Sequence, residues 1–160
     1  MKRAIVAYHR DEEDHWVAEL DCGHNQHVRH QPPFFNRPWT QSREGRDGML
    51  GEKLNCVRCD ALEWPENLQF LRKTAKFDQD DFPAGLKKDH ATKAGTWGKI
   101  KLLEGRMLYV CQTPVEQTIE LDERTPGIIP PELLHHVEPL GRVRFLIEFY
   151  SCRSDQFGTN

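Results

Sequence analysis

Apolar and polar residues alternate in short runs along this chain, and the three-to-four-residue recurrence of amphipathic helices is absent. Segments 2–8 and 16–20 are rich in β-formers and flank the polar stretch 9–14, a pattern that predicts a hairpin. Within the second segment Trp16, Ala18 and Leu20 fall on one side of a strand, and that side is predicted to face the core. A third short strand is predicted at 26–29. Segment 31–39 carries three prolines, which rules out a regular helix, and 40–55, polar with three glycines, holds at most a brief helical turn.

The pattern changes near residue 60. Ala61-Leu-Glu-Trp-Pro65 reads as a connection, dividing the chain into a module at 1–60, a linker at 61–65, a second unit at 66–152 and a tail at 153–160. In the second unit strand-like runs fall at 69–77, 97–103, 106–112, 117–121, 135–138 and 143–152, with Glu104-Gly105 placed as a hairpin turn. Short strands punctuated by Gly, Pro and acidic turns predict an antiparallel sandwich or barrel, so the expected fold class is mainly β.

Composition narrows the function classes. With 38% hydrophobic and 29% charged residues the chain can build a modest core, and its formal charge of -3 is spread without a basic run. A nucleic-acid partner is therefore not expected. No apolar stretch approaches the roughly 18 to 20 residues that span a bilayer, and the opening MKRAIVAYHRDEED turns charged before a signal core forms; a cytoplasmic location without a membrane partner is expected. Methyl transfer is not expected either, because no Gly-rich loop precedes a helix.

Five cysteines without an export signal favour metal or redox chemistry over disulfides. Cys56 and Cys59 form a C-x-x-C knuckle, and Cys22 and His24 a C-x-H pair in which Gly23 lets the chain turn sharply. Together they supply the four soft or borderline donors of a structural zinc site, which a module of this size needs as a staple. His27 and His30 lie close enough to replace His24, which is preferred for its compact spacing. A redox pair would need a βαβ context that the chain lacks.

Segment 22–39, which opens Cys22-Gly-His-Asn-Gln-His27, together with Leu54-Asn-Cys-Val-Arg-Cys59, resembles a small bacterial family of uncharacterised zinc-ribbon-like domains. The resemblance covers nearly all of 1–60 and implies no activity. Segments 82–98 and 126–139, with Phe145-Leu-Ile-Glu-Phe-Tyr150, resemble the tellurite-resistance-type cupin family over about residues 65–151. What this implies is a cupin-like antiparallel β-barrel, a double-stranded β-helix, that binds a small molecule or an oxyanion.

The usual cupin His-x-His pair is represented here by His90-Ala-Thr92, and the usual downstream glutamate falls near Trp97-Gly98. Glu148, set between apolar positions on the last strand, is the replacement carboxylate. His90, His135 and Glu148 then form a candidate site for a second divalent metal: zinc, iron or nickel. His136, adjacent to His135, points the other way. Alternatives to a binding protein are a metal-dependent dioxygenase or isomerase, and a sensor whose zinc module engages another protein. An exposed barrel sheet would suit a homodimer.

Overall fold

The computed structural model describes residues 1–152; the predicted tail at 153–160 lies outside the described residues. The chain is mainly β, and its strands form two antiparallel sheets. In the first, β1 (Lys2–Arg10) lies between β2 (Trp16–Leu20) and β4 (Lys53–Asn55), with β3 (Asn25–His27) on the outer side of β2. A 3-10 turn (Pro38–Gln41) and α1 (Arg43–Asp47) connect β3 to β4. Ser42 caps α1, its Oγ accepting from the Gly45 N–H at 3.0 Å. A second short helix, α2 (Val57–Asp60), follows β4 directly. Strand β4 was not foreseen, because the three residues Lys53-Leu-Asn55 are too few to show an alternation.

The second sheet has the order β5-β10-β7-β8, formed by β5 (Leu68–Lys73), β10 (His135–Cys152), β7 (Thr96–Gln112) and β8 (Glu116–Leu121). Two short strands complete it: β6 (Phe77–Asp78) pairs with β10, and β9 (Gly127–Ile129) with β7.

Glu104-Gly105 is not the hairpin turn expected from the sequence. Strand β7 runs unbroken through it, and Gly105, at φ +85°, sits opposite Val143 where β10 loses register between Pro139 and Val143. A Cβ on Gly105 would lie 2.1 Å from the Arg142 carbonyl oxygen, so only glycine lets the two bent strands stay paired. The irregularity also explains the misreading. Before it the even residues Ile100 and Leu102 face the core, and after it the odd residues Met107, Tyr109 and Cys111 do, so the alternation resets as it would between two strands.

Two cores result. One lies on the second sheet and includes Met107, Tyr109, Leu121, Val143 and Phe145, each with no exposed surface. The other gathers Ile5, Ala18 and Leu20 of the first sheet around Cys22, Cys56 and Cys59, and it includes Trp97 of β7. On β7, Trp97 has the opposite parity from Ile100, so it leaves its own sheet's core and enters that of the first sheet. Arg3 ties the sheets together from the other side, its side chain buried and its Nη2 donating to the Pro131 carbonyl at 2.6 Å. No helix among the described residues is long and apolar enough to cross a membrane.

Candidate metal centre

Strands β2 and β4 both run antiparallel to β1, so both end at the edge where β1 begins. The two Cys/His pairs follow those ends. Cys22 and His24 occupy the β2–β3 turn, closed by Gly23 N–H to Leu20 O at 2.8 Å and Leu20 N–H to His24 O at 3.0 Å. Gly23, at φ +85°, is required twice over: L side chains rarely adopt that conformation, and a Cβ there would come within 3.2 Å of Cys152 Sγ. Cys56 and Cys59 open α2, where the Cys59 N–H donates to Cys56 Sγ at 3.4 Å.

The four donor atoms converge within 4.8 Å of one another, and all four residues are buried. His24 Nδ1 lies 3.6, 3.4 and 3.5 Å from the sulfurs of Cys22, Cys56 and Cys59, and the Cys22 and Cys56 sulfurs are 3.9 Å apart. Hydrogen bonds from Cys22 and Cys59 hold the Cys56 thiol far below its ordinary pKa, while Cys22 is pushed far up, first by its bond to Cys56. A cation at the centre would replace the shared protons and hold all three as thiolates. Among the described residues this is the one group of three or more His, Cys, Asp or Glu side chains that could hold a metal ion.

The neighbouring histidines are engaged elsewhere. His27, half exposed, bonds Asp11 through Nε2 at 2.7 Å, and His30 Nδ1 accepts the Arg37 N–H at 3.0 Å. Neither reaches the cluster.

The expected trio in the second sheet is brought together only in part. His90 and His135 form a β-bridge, with reciprocal backbone bonds of 3.0 Å and rings 4.2 Å apart. Each Nδ1 faces a carbonyl, His90 that of Lys88 at 2.9 Å and His135 that of Leu133 at 2.8 Å. A carbonyl only accepts, so Nδ1 carries the proton and the neutral ring presents a lone pair at Nε2. Glu148 is not beside them. Val143, Phe145 and Ile147 fill the core, so Glu148 lies on the opposite face, between Lys73 and Lys99 in the ladder, with Lys101 Nζ at 3.4 Å and Tyr150 Oη donating at 2.8 Å. The metal role expected of Glu148 required its face of the strand to meet the two histidines. His136 bonds Asp89 at 2.7 Å, away from the pair.

Burial depresses His135 from the ordinary 6.5 to about 4, an effect to which the neighbouring His90 and His136 add and which the Leu133 carbonyl partly offsets. The folded state thus takes up this proton only near pH 4, whereas the unfolded chain takes it near 6.5. Stability is complete above that window and is lost as pH falls through it, by about 3 kcal/mol. Urea unfolding at pH 7 and pH 4 should give a loss larger by that amount in the native protein than in His135→Asn, which cannot titrate. Equal losses would show that His135 is not held neutral by the fold.

One residue of the centre's surroundings, Trp97, carried no local signal in the sequence: long-range packing brings it there, and the only hint was its apolar bulk. Cys111 and Cys152 behave as packing residues: burial raises both thiols, Cys152 to about 11, so neither is a reactive thiolate at neutral pH.

Two family models match separate stretches of the chain. Residues 6–63 match a family described as a protein of unknown function (DUF3565), and residues 72–147 match the TehB-like domain. A solved structure of a protein from Escherichia coli strain K12 is similar with TM-score 0.52 and 22% identity, over 57% of this chain and 98% of its own. TehB from Haemophilus influenzae is similar with TM-score 0.50 and 24% identity, over 53% of this chain but 32% of its own length. At such identities the likeness is one of fold. No curated protein matches the chain. The stretch that matches DUF3565 contains all four donors of the cluster, and the stretch that matches the TehB-like domain contains Trp97, His90 and His135.

Proposed function

We propose that this is a metal-stapled binding protein of the tellurite-resistance type. In this reading Cys22, His24, Cys56 and Cys59 hold one structural zinc ion in the module at 1–60, and a cupin-like barrel at 66–152 binds a small molecule or oxyanion at the end marked by His90 and His135.

The observation that carries the reading is the spacing of the four donors. Tetrahedral zinc, with Zn–S of about 2.3 Å and Zn–N of about 2.0–2.1 Å, sets neighbouring sulfurs about 3.8 Å apart and sulfur about 3.5–3.6 Å from nitrogen. The corresponding separations in this chain are 3.9 Å, and 3.4 to 3.6 Å. Three thiolates and one imidazole with no position left for water suit a structural ion.

The TehB-like match and the two unpaired Nε2 lone pairs support the second half of the reading. Such lone pairs accept from the O–H of a protonated oxyanion, or bind a divalent metal that leaves positions open to a ligand. The test is metal analysis combined with histidine ring resonances during titration with tellurite, selenite and phosphate. Expected are one zinc per chain, kept in His135→Ala, and an oxyanion-dependent shift of the His90 and His135 rings that the variant abolishes. Absence of any shift with all three anions would overturn oxyanion binding at this end, independently of the zinc count.

A further inference from the structure

We infer that the metal centre is composite: Trp97, on a strand of the TehB-like domain, is the positioning residue that holds the Cys22–His24 knuckle in its metal-binding form. The inference rests on the cluster binding a metal, as proposed above.

Four observations lead to it. Trp97 has no exposed surface, and its Nε1–H donates to the carbonyl oxygen of Cys22, itself a ligand, at 2.9 Å. The same indole packs against the ligand His24, with ring centroids 5.5 Å apart and planes at 84°. His24 Nδ1 faces the three sulfurs, so a metal bound there would leave the proton on Nε2, an atom that is buried without a hydrogen-bond partner among the described residues. The perpendicular indole is the aromatic neighbour of the His24 ring among the described residues, and an electron-rich π system is a weak acceptor for such an N–H. Finally, a Cβ at the knuckle's glycine would meet Cys152, Pro65 and Leu68, all beyond the last cysteine of the cluster, Cys59.

Metal-ligating histidines generally have their second ring nitrogen and backbone oriented by outer partners, and loss of such a partner lowers affinity roughly 10- to 100-fold. Among the described residues no carboxylate or carbonyl bonds the His24 ring, and the indole takes that place. Trp97 is also fixed within β7 through its pairing with Tyr150 and its edge contact with Trp64, 5.7 Å away. The knuckle is thereby registered against the second sheet. Reciprocity follows: whatever the sheet contributes to metal affinity, the metal contributes to the docking of Trp97.

The experiment uses the full chain loaded with zinc and, separately, with cobalt(II). Trp97→Phe keeps an aromatic ring and loses the donor to Cys22; Trp97→Leu loses both. Zinc transfer to a chromogenic chelator should speed up roughly 10-fold in Trp97→Phe and closer to 100-fold in Trp97→Leu. The cobalt ligand-field bands should shift in both, while a control at the equally buried but remote Leu121→Ala leaves them in place. A third measurement needs no variant: exchange of the Trp97 indole N–H, identified by its proximity to Cys22, should be slow in the loaded protein and rapid after chelation. Native protein that binds one metal, with release rate and cobalt spectrum unchanged in both variants or with indole exchange indifferent to the metal, would overturn the inference. Native protein that binds none would instead sink the metal-centre reading beneath it.

Discussion

Replacing Cys56 by serine should abolish metal binding and unfold the first sheet. Cys56 gives one of the four donors, bonds both other thiols and receives the Cys59 N–H, so its loss removes a ligand and the knuckle's internal support together. Structural zinc contributes roughly 10–16 kcal/mol of apparent binding free energy in small zinc domains. That rivals the whole stability of a typical domain, about 5–15 kcal/mol. The expected readout is a fall from one metal equivalent to none, with loss of hydrogen-exchange protection across β1 and β2. Chelation of the native protein should reproduce the second effect, and Cys111→Ser should leave the metal count unchanged. A Cys56→Ser protein that retains one equivalent and native protection would show that the four side chains are a packed cluster only.

Phe145→Ala should cost the second sheet about 3–5 kcal/mol. Phe145 has no exposed surface and meets the rings of Phe77 at 5.7 Å and Phe82 at 5.5 Å, so truncation leaves a cavity beside both rings. Leu140→Ala, at an exposed position on the same strand, should cost under about 1 kcal/mol. Urea midpoints at neutral pH measure both. A Phe145→Ala loss as small as that of Leu140→Ala would mean that the core collapses around the gap.

What the sequence disclosed follows from the range of the interactions. The four residues of the Cys/His cluster were legible because each pair is local, separated by one or two residues on a turn. That the two turns meet follows from strand direction, which the hydrophobic pattern only suggested. Strand β2 was read with its observed limits, while β7 and β10 were each read as two strands, because a bulge resets side-chain parity just as a turn does. Glu148 was misassigned for a related reason: alternation tells which residues share a face, and not what the other face meets. Trp97 was invisible as a neighbour of the candidate metal centre, since its partner Cys22 lies 75 residues away along the chain.

The long pairing of β7 with β10 also bears on the order in which the molecule assembles. Trp97 lies opposite Tyr150 and Cys111 opposite His135, so the ladder cannot close until the final strand has emerged from the ribosome. Pairings of such separation form late, because the loop between them must be ordered first. The donors, by contrast, are all present once Cys59 has been made. If the cluster holds an ion as proposed, the nascent chain would capture it early in a loosely held knuckle, and the arrival of Trp97 with the closing sheet would then lock it in place.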